Sequence, residues 1–241
     1  MGVHTIPEVT LRRVADHEVT AIITASGAAI RRLEVDGRPL LKSFEPAHRP
    51  PGAANIVLAP WPNRVADATF TFNGVTHQLD VTEPERGHAL HGFTWGRIFS
   101  IEEHTDDSAT LRTVLGPEPG WPWQIELTVM YTLTDTGIDG AMTARNITPA
   151  EDDHGPAPCA LGVHTYLDPQ GAPLDECTLH HTIEERQPLD SRNIPAGPRE
   201  PWPASPMPMN GVWLDDAGID SVKRPRVARL VSKGGYGVEL E

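Results

Sequence analysis

The residues in this chain that could do chemistry on a small polar molecule stand near the ends of predicted strands. They are Asn63, Arg64, His91, His164, Tyr166 and Asp215. A histidine exchanges protons near neutral pH, an arginine fork and a carboxylate hold neighbouring hydroxyl groups, and an aromatic ring stacks on the apolar face of a sugar. Together these types predict an open cleft that binds a sugar. Trp61, Phe93, Trp95 and Tyr166 are the candidates for stacking.

The 11 histidines also raise the question of a metal site. His88 and His91 are three residues apart, but they stand in a glycine-rich loop, whereas the close histidine pairs of zinc sites are usually carried by a helix. His180 and His181 are adjacent, so on a strand their side chains point to opposite faces. The spacing therefore predicts neither a metal nor a cofactor.

The elements that must position these residues are strands. Asp36-Gly37 and Asn73-Gly74 predict two-residue hairpin turns, and Ile125, Leu127, Val129 and Tyr131 alternate as on a half-buried strand. No stretch longer than about ten residues has helical spacing. The pattern predicts a single all-β domain over residues 1–241, a sandwich or a barrel. Strands are expected in 9–24, 28–41, 69–79, 100–115, 123–133, 137–146, 160–167, 178–184, 226–232 and 235–241, and loops in 87–96, 149–159 and 187–209.

The charge and the cysteines narrow the class of protein. A net charge of −13 disfavours nucleic acid and anionic membranes as partners. Cys159 and Cys177 make neither a disulfide framework nor a zinc site. No apolar stretch reaches about 18 residues, and no secretory signal opens the chain. These features predict a cytoplasmic protein with reduced thiols.

Three segments carry a resemblance to a known family. LAPWPNRVAD (58–67), the FTFNG hairpin (70–74) and EPERGHALHG (83–92) resemble the aldose 1-epimerase (galactose mutarotase) family, in its bacterial branch that reads LAPWPNR and NALHG. GVHTYL (162–167) and WLDD (213–216) are similar to later motifs of the family. The order of the motifs matches over roughly residues 10 to 241. Ala217 and Gly218 depart from the family, which usually has Cys or Pro followed by Phe there.

The resemblance implies an antiparallel β-supersandwich that interconverts the α and β anomers of a free hexose. A base removes the proton from the anomeric hydroxyl, an acid protonates the ring oxygen, and the ring opens and recloses. By motif, His164 is the general acid and His91 hydrogen-bonds near the same oxygen. Asn63 and Arg64 hold hydroxyls, Asp215 clamps hydroxyls at the far side, and Tyr166 lines the cleft.

The base of the family is a glutamate near the C-terminus, in a segment reading EPM or EPQ, and no such segment follows Asp215. Glu239 alternates with apolar neighbours, and Glu241 is terminal. Either the chain is a truncated or abnormally ended member, or a different carboxylate serves as the base. We expect weak or no mutarotase activity of the chain as given, and the uncovered sheet edges of a truncated member would favour a homodimer. The alternatives are a non-catalytic sugar-binding domain, an enzyme for a phosphorylated or otherwise modified sugar, and a metal-dependent cupin. The cupin pattern H-x-H is absent, and the negative charge disfavours phosphorylated sugars.

Overall fold

Strands supply the regular structure of this chain, as the alternating pattern predicts. The computed structural model describes residues 6–152, 154–215, 217–219 and 227–241. Within these ranges there is no α-helix, and the short 3₁₀ turns are Pro51–Ala53, Ala66–Ala68, Ala150–Asp152 and Leu174–Glu176. The all-β prediction is confirmed. The chain divides into two compact units, Met1–Tyr166 and Leu167–Glu241.

The first unit holds two four-stranded antiparallel sheets and three small two-stranded sheets. The strands are β1 (Glu8–Val14), β2 (Glu18–Thr24), β3 (Ala29–Val35), β4 (Arg38–Pro39), β5 (Val57–Leu58), β6 (Arg64–Val65), β7 (Thr69–Phe72), β8 (Val75–Gln78), β9 (Ala89–Leu90), β10 (Ser100–His104), β11 (Ser108–Leu115), β12 (Ile125–Leu133), β13 (Ile138–Asn146) and β14 (Gly162–Val163). One large sheet has the order β1-β2-β3-β4 and the other β10-β11-β12-β13. The small sheets pair β5 with β14, β6 with β9 and β7 with β8.

Both predicted hairpin turns are present. β3 and β4 are joined by Asp36-Gly37, and β7 and β8 by Asn73-Gly74. All four turn residues have positive φ, between 49° and 79°. Such a backbone matches the right-handed twist of the flanking strands, and Asn, Asp and Gly adopt it with the least strain.

The core of the first unit lies between the two large sheets. On β12, Ile125, Leu127, Val129 and Tyr131 are buried, whereas Met130 between the last two is 47% exposed, so the predicted alternation is confirmed. β1 and β2 contact this sheet through β11 and β12. The buried Tyr131 hydroxyl donates to the Ala28 carbonyl at 2.8 Å, and burial raises the pKa of that phenol. Each fully buried aliphatic side chain contributes about 1.5–3 kcal/mol, which makes this core the rigid support of the unit.

The described strands of the second unit are β15 (Cys177–His181), β16 (Glu185–Gln187), β17 (Glu200–Pro201), β18 (Met207–Pro208), β19 (Ala217–Ile219), β20 (Ala228–Ser232) and β21 (Gly237–Leu240). They form two antiparallel sheets, of orders β18-β15-β20-β21 and β17-β16-β19. The core of this unit contains Cys177, Met207, Met209 and Leu230.

Three predictions on the chain's elements need correction. The loop expected over 87–96 contains β9 (Ala89–Leu90), which pairs with β6 and is too short for any periodicity to register. The strand expected over 160–167 is reduced to Gly162–Val163, since the residues after it bond to Asn55 and Ile56 rather than to a continuous ladder. The loop expected over 187–209 contains β17 and β18, whose length of two residues is too short for any periodicity to register. Arg226, where the last hairpin was expected to begin, lies outside the described residues.

In the described ranges no helix has the length and apolar character needed to cross a membrane.

Candidate active site

Asn63 and His91 form a reciprocal pair that joins two loops of the first unit. The Asn63 N–H donates to Nδ1 of His91 at 3.1 Å, and the His91 N–H donates to the Asn63 carbonyl at 2.9 Å. Both residues have positive φ, 62° and 63°, which for a residue other than glycine often marks a functional position. Because β6 and β9 pair directly beside them, the two loops are held in register.

Gly92 allows the loop of His91 to lie against the chain that carries Asn63. The Phe93 N–H donates to the Ala59 carbonyl at 2.8 Å, and Ala59 and Gly92 form a parallel bridge. A Cβ on Gly92 would lie 2.1 Å from that same carbonyl oxygen, and its φ is 66°. Only glycine fits here, so the backbone at Gly92 determines where His91 stands.

His164 is positioned by a different strand pair. β14 pairs with β5, and beyond it the His164 N–H donates to the Ile56 carbonyl at 3.0 Å while its carbonyl accepts from the Asn55 N–H at 2.8 Å. The Tyr166 N–H then donates to Oδ1 of Asn55 at 2.9 Å. The Asn55 amide also donates to the carbonyls of Ile30 and Lys42, at 3.1 and 2.9 Å. This one buried side chain therefore fastens the segment of His164 to the β1–β4 sheet.

The two histidines meet, as the sequence predicts. The rings of His91 and His164 are 5.0 Å apart between centroids, edge to face at 80°. The Tyr166 ring stands 5.2 Å from His164, and its hydroxyl donates to the Gly52 carbonyl at 3.0 Å. Tyr166 is 41% exposed, so this aromatic wall faces an opening rather than the core.

Burial favours the neutral form of both rings. It lowers the pKa of His91 to about 4, with further lowering from the neighbouring His164 and Arg64 and an opposing contribution from Glu83. Burial also lowers the pKa of His164. Because Nδ1 of His91 accepts a hydrogen bond and its ring is neutral at pH 7, its proton lies on Nε2. His91 therefore presents one N–H donor, and Nδ1 of His164 is buried without a partner among the described residues.

Arg64 lies beside this pair in a nearly buried ion pair. Its Nε and Nη2 donate to the two carboxylate oxygens of Glu83 at 2.7 and 2.9 Å, and its Nη1 contacts Oδ1 of Asn63 at 3.3 Å. The side chains of Arg64 and Glu83 are 13% and 8% exposed. A bidentate pair fixes both the position and the plane of a guanidinium.

Of the residues expected to stack on a sugar, only Tyr166 contacts a ring of the histidine pair among the described contacts. Trp61 and Phe93 pack edge to face on each other, 5.0 Å apart. The Trp95 indole donates to the Pro50 carbonyl, and the Arg49 guanidinium lies 4.1 Å above its ring. A cavity of about 350 Å³ near Trp61 is almost wholly apolar, so it offers nothing to bind hydroxyls. Its lining is Pro60, Trp61, Val65, Phe70, Trp121, Pro158, Cys159 and Ala160.

Asp215 belongs to the second unit. There its Oδ2 accepts a hydrogen bond from the side-chain amide of Asn193 at 3.0 Å, and Trp213 two residues earlier is 87% exposed. The carboxylate is thus oriented within its own unit. Its expected role as a hydroxyl clamp stays a prediction. Asp216 lies outside the described residues.

Sequence reasoning missed two residues of this site. Glu83 opens the EPERGHALHG motif but was given no role, and Asn55 precedes an apolar run with nothing to distinguish it from a loop residue. Both residues matter through partners that are distant in the sequence. Glu83 pairs with Arg64, and the Asn55 side chain bonds three backbone groups.

In the part of the chain that the structure describes, no group of three or more His, Cys, Asp or Glu side chains is arranged to hold a metal ion.

Comparisons with known proteins match this chain to one family. The family model of aldose 1-epimerase matches residues 9–223. The uncharacterized protein YihR of Escherichia coli K12 is 32% identical over 157 residues, which are 65% of this chain and 49% of YihR. This chain thus spans about half the length of that curated relative.

Solved structures share the fold at low identity. An aldose epimerase homologue from C. elegans has a TM-score of 0.79 at 18% identity, covering 95% of this chain and 77% of that one. A putative aldose 1-epimerase from Escherichia coli K12 has a TM-score of 0.74 at 17% identity, with 95% and 75% covered. Galactose 1-epimerase from Lactobacillus acidophilus has a TM-score of 0.68 at 13% identity, with 94% and 77% covered. The fold is thus of the galactose mutarotase type, and the chain belongs to the aldose 1-epimerase family.

Proposed function

We propose that this chain interconverts the α and β anomers of a free aldose by acid–base ring opening. The observation that carries the proposal is the meeting of His91 and His164, ring centroids 5.0 Å apart, beside Asn63 and Arg64. Ring opening needs a proton donor at the ring oxygen and hydrogen bonds that hold the sugar's hydroxyls during bond rotation. Membership of the aldose 1-epimerase family supports the same reaction.

The residues divide the work as follows. His164 protonates the ring oxygen as the C1–O5 bond breaks, and it recovers its proton when the ring recloses. His91 donates a hydrogen bond to that oxygen from Nε2, because Nδ1 is occupied by Asn63. Arg64 and Asn63 bind hydroxyls, and Tyr166 lines the cleft. A lowered pKa makes protonated His164 a stronger acid but reduces its population at pH 7.

The reaction also needs a base at the anomeric hydroxyl. Glu83 is unsuited to that role, because both of its oxygens are bound to guanidinium groups, which lower the pKa of its carboxyl. This observation favours a second candidate function, sugar binding with weak or no catalysis. Sugars with a phosphate remain a less favoured substrate class, given the net charge of −13.

One experiment separates these functions. Freshly dissolved α-glucose or α-galactose is mixed with the protein at micromolar concentration, and anomerisation is followed by polarimetry or by one-dimensional NMR. We expect acceleration over the buffer rate for at least one free aldose. Broadening of the sugar signals without acceleration would favour the binding domain, and neither effect with any aldose tested would contradict both.

A further inference from the structure

Glu83 binds two arginines, Arg64 and Arg86. Its Oε2 accepts from Nε of Arg64 at 2.7 Å, and its Oε1 accepts from Nη2 of Arg64 and from Nη1 of Arg86, both at 2.9 Å. Its side chain is 8% exposed, whereas that of Arg86 is 39% exposed. The inner arginine and the carboxylate are thus shielded from water, and Arg86 covers them from outside.

The backbone around Glu83 is held firmly. The Glu83 N–H donates to the His88 carbonyl at 2.9 Å, and the Glu83 carbonyl accepts from Gly87 at 2.9 Å. His88 is fully buried, and its Nδ1 accepts from the Asp67 N–H at 3.0 Å. A closed turn anchored on a buried ring leaves the carboxylate little freedom, so Glu83 is a rigid partner for Arg64.

That rigidity is transmitted to the sugar-facing residues. With Nε and Nη2 held by Glu83, the plane of the guanidinium is fixed, and Nη1 is directed at Oδ1 of Asn63. The backbone of Asn63 in turn holds His91. Glu83 and Arg64 also act in opposite directions on the pKa of His91, which the carboxylate raises and the guanidinium lowers. One carboxylate therefore controls both the orientation of Arg64 and the charge felt by His91.

We propose that Glu83 is the positioning residue of this site, holding Arg64 in the plane that hydroxyl binding requires. This inference rests on the proposed function, because it concerns how Arg64 binds a sugar. Glu83 touches no substrate in this scheme. It orients Arg64 by hydrogen bonds, and it acts on His91 only by its charge.

The first test needs no activity. Glu83→Gln keeps the shape of the side chain but removes the charge and one acceptor. In wild type the Arg64 Nε–H should give a sharp, slowly exchanging NMR signal, which Glu83→Gln should abolish, and the pKa of His91 should fall. Glu126→Gln, which breaks the Arg112–Glu126 pair on β11 and β12, is the matched control and should change neither readout. An unchanged Arg64 signal in folded Glu83→Gln would overturn the proposal, whatever the reaction of the protein.

The second test separates positioning from mere stabilisation. On an aldose that the wild type anomerises, kcat/KM should fall roughly 10- to 100-fold in Glu83→Gln. The double variant Arg64→Gln/Glu83→Gln should be no worse than Arg64→Gln, because the positioning effect of Glu83 passes through Arg64. Additive losses would indicate a structural role and overturn the proposal. If Glu83→Gln does not fold, Glu83→Asp replaces it. The shorter side chain should not contact both Arg64 and Arg86, so kcat/KM should again fall. A kcat/KM within twofold of wild type would then contradict the proposal.

Discussion

At the scale of residues, the main feature of the candidate site is the neutral ring of His91, whose proton is held on Nε2. The Asn63 N–H occupies Nδ1 of His91, and burial keeps that ring uncharged down to a pH of about 4. His164 faces it edge-on with a pKa also lowered by burial. Two neighbouring histidines that resist simultaneous protonation can present one fixed donor and one exchangeable proton, which is the acid half of what ring opening needs.

The lowered pKa of His91 predicts a pH dependence of stability. Its folded-state pKa of about 4 is below the ordinary value of 6.5, so between these pH values the unfolded chain binds more protons. The free energy of unfolding should therefore fall as the pH falls from 6.5 towards 4. His91→Gln should flatten this part of the curve of melting temperature against pH, whereas His104→Gln, at an exposed position on β10, should keep the wild-type slope. Parallel curves for wild type and His91→Gln would contradict the assignment.

At the scale of elements, short strand pairs rather than the large sheets position the residues of the candidate site. β6 and β9 bring Arg64 next to the loop of His91, and β5 and β14 bring His164 to the same place. Each pair is only two residues long, so its position depends on the close contact at Gly92 and on the side chain of Asn55.

Gly92→Ala tests the close contact. Its Cβ would lie 2.1 Å from the Ala59 carbonyl oxygen at a φ of 66°, so the loop must move and take His91 with it. We expect the free energy of unfolding, measured by urea denaturation, to fall by more than about 2 kcal/mol, and anomerisation to be lost. Gly74→Ala is the matched control, because its φ is 79° but nothing lies within 4 Å, so it should cost only about 1 kcal/mol. Equal costs for the two variants would contradict the steric account.

Asn55→Gly tests the attachment of the His164 segment. Glycine tolerates the φ of 55° at this position, so the variant removes the side chain's three hydrogen bonds without adding backbone strain. At about 1 kcal/mol for each bond, the loss in free energy of unfolding should be about 3 kcal/mol. Hydrogen exchange should accelerate at the Tyr166 amide, which donates to Asn55, and not at amides of β12. Uniform acceleration over both regions would indicate global rather than local loosening.

The sequence predicted the elements with local signals and missed those without them. Asn73-Gly74 and the alternation from Ile125 to Tyr131 specify a turn and a half-buried strand within a few residues, and both are present. His91 and His164 could be paired only through the resemblance, because they are 73 positions apart in the chain and no local pattern links them. Glu83 and Asn55 could not be assigned at all, since an isolated Glu or Asn reveals nothing of its tertiary partners.

At the scale of the whole molecule, the net charge of −13 distinguishes classes of substrate. A neutral aldose is indifferent to a negative field, whereas a sugar phosphate is repelled on approach, and salt screens that repulsion over about 10 Å at 0.1 M. We expect kcat/KM for a free aldose to stay constant between roughly 20 and 500 mM NaCl. The kcat/KM for the 6-phosphate of the same aldose should rise over this range, because salt screens the repulsion. A fall with salt for the phosphate would instead indicate a local basic site that attracts it.

The most direct test of the central claim compares wild type with His164→Gln on freshly dissolved α-aldose, by polarimetry at equal protein concentration. Removing the general acid should lower the protein-dependent rate by about 10² to 10⁴, while the melting temperature and the rate of the His104→Gln control stay near those of wild type. The account predicts wild-type acceleration that disappears with His164. Equal rates for wild type and His164→Gln, whether both fast or both at the buffer rate, would contradict it.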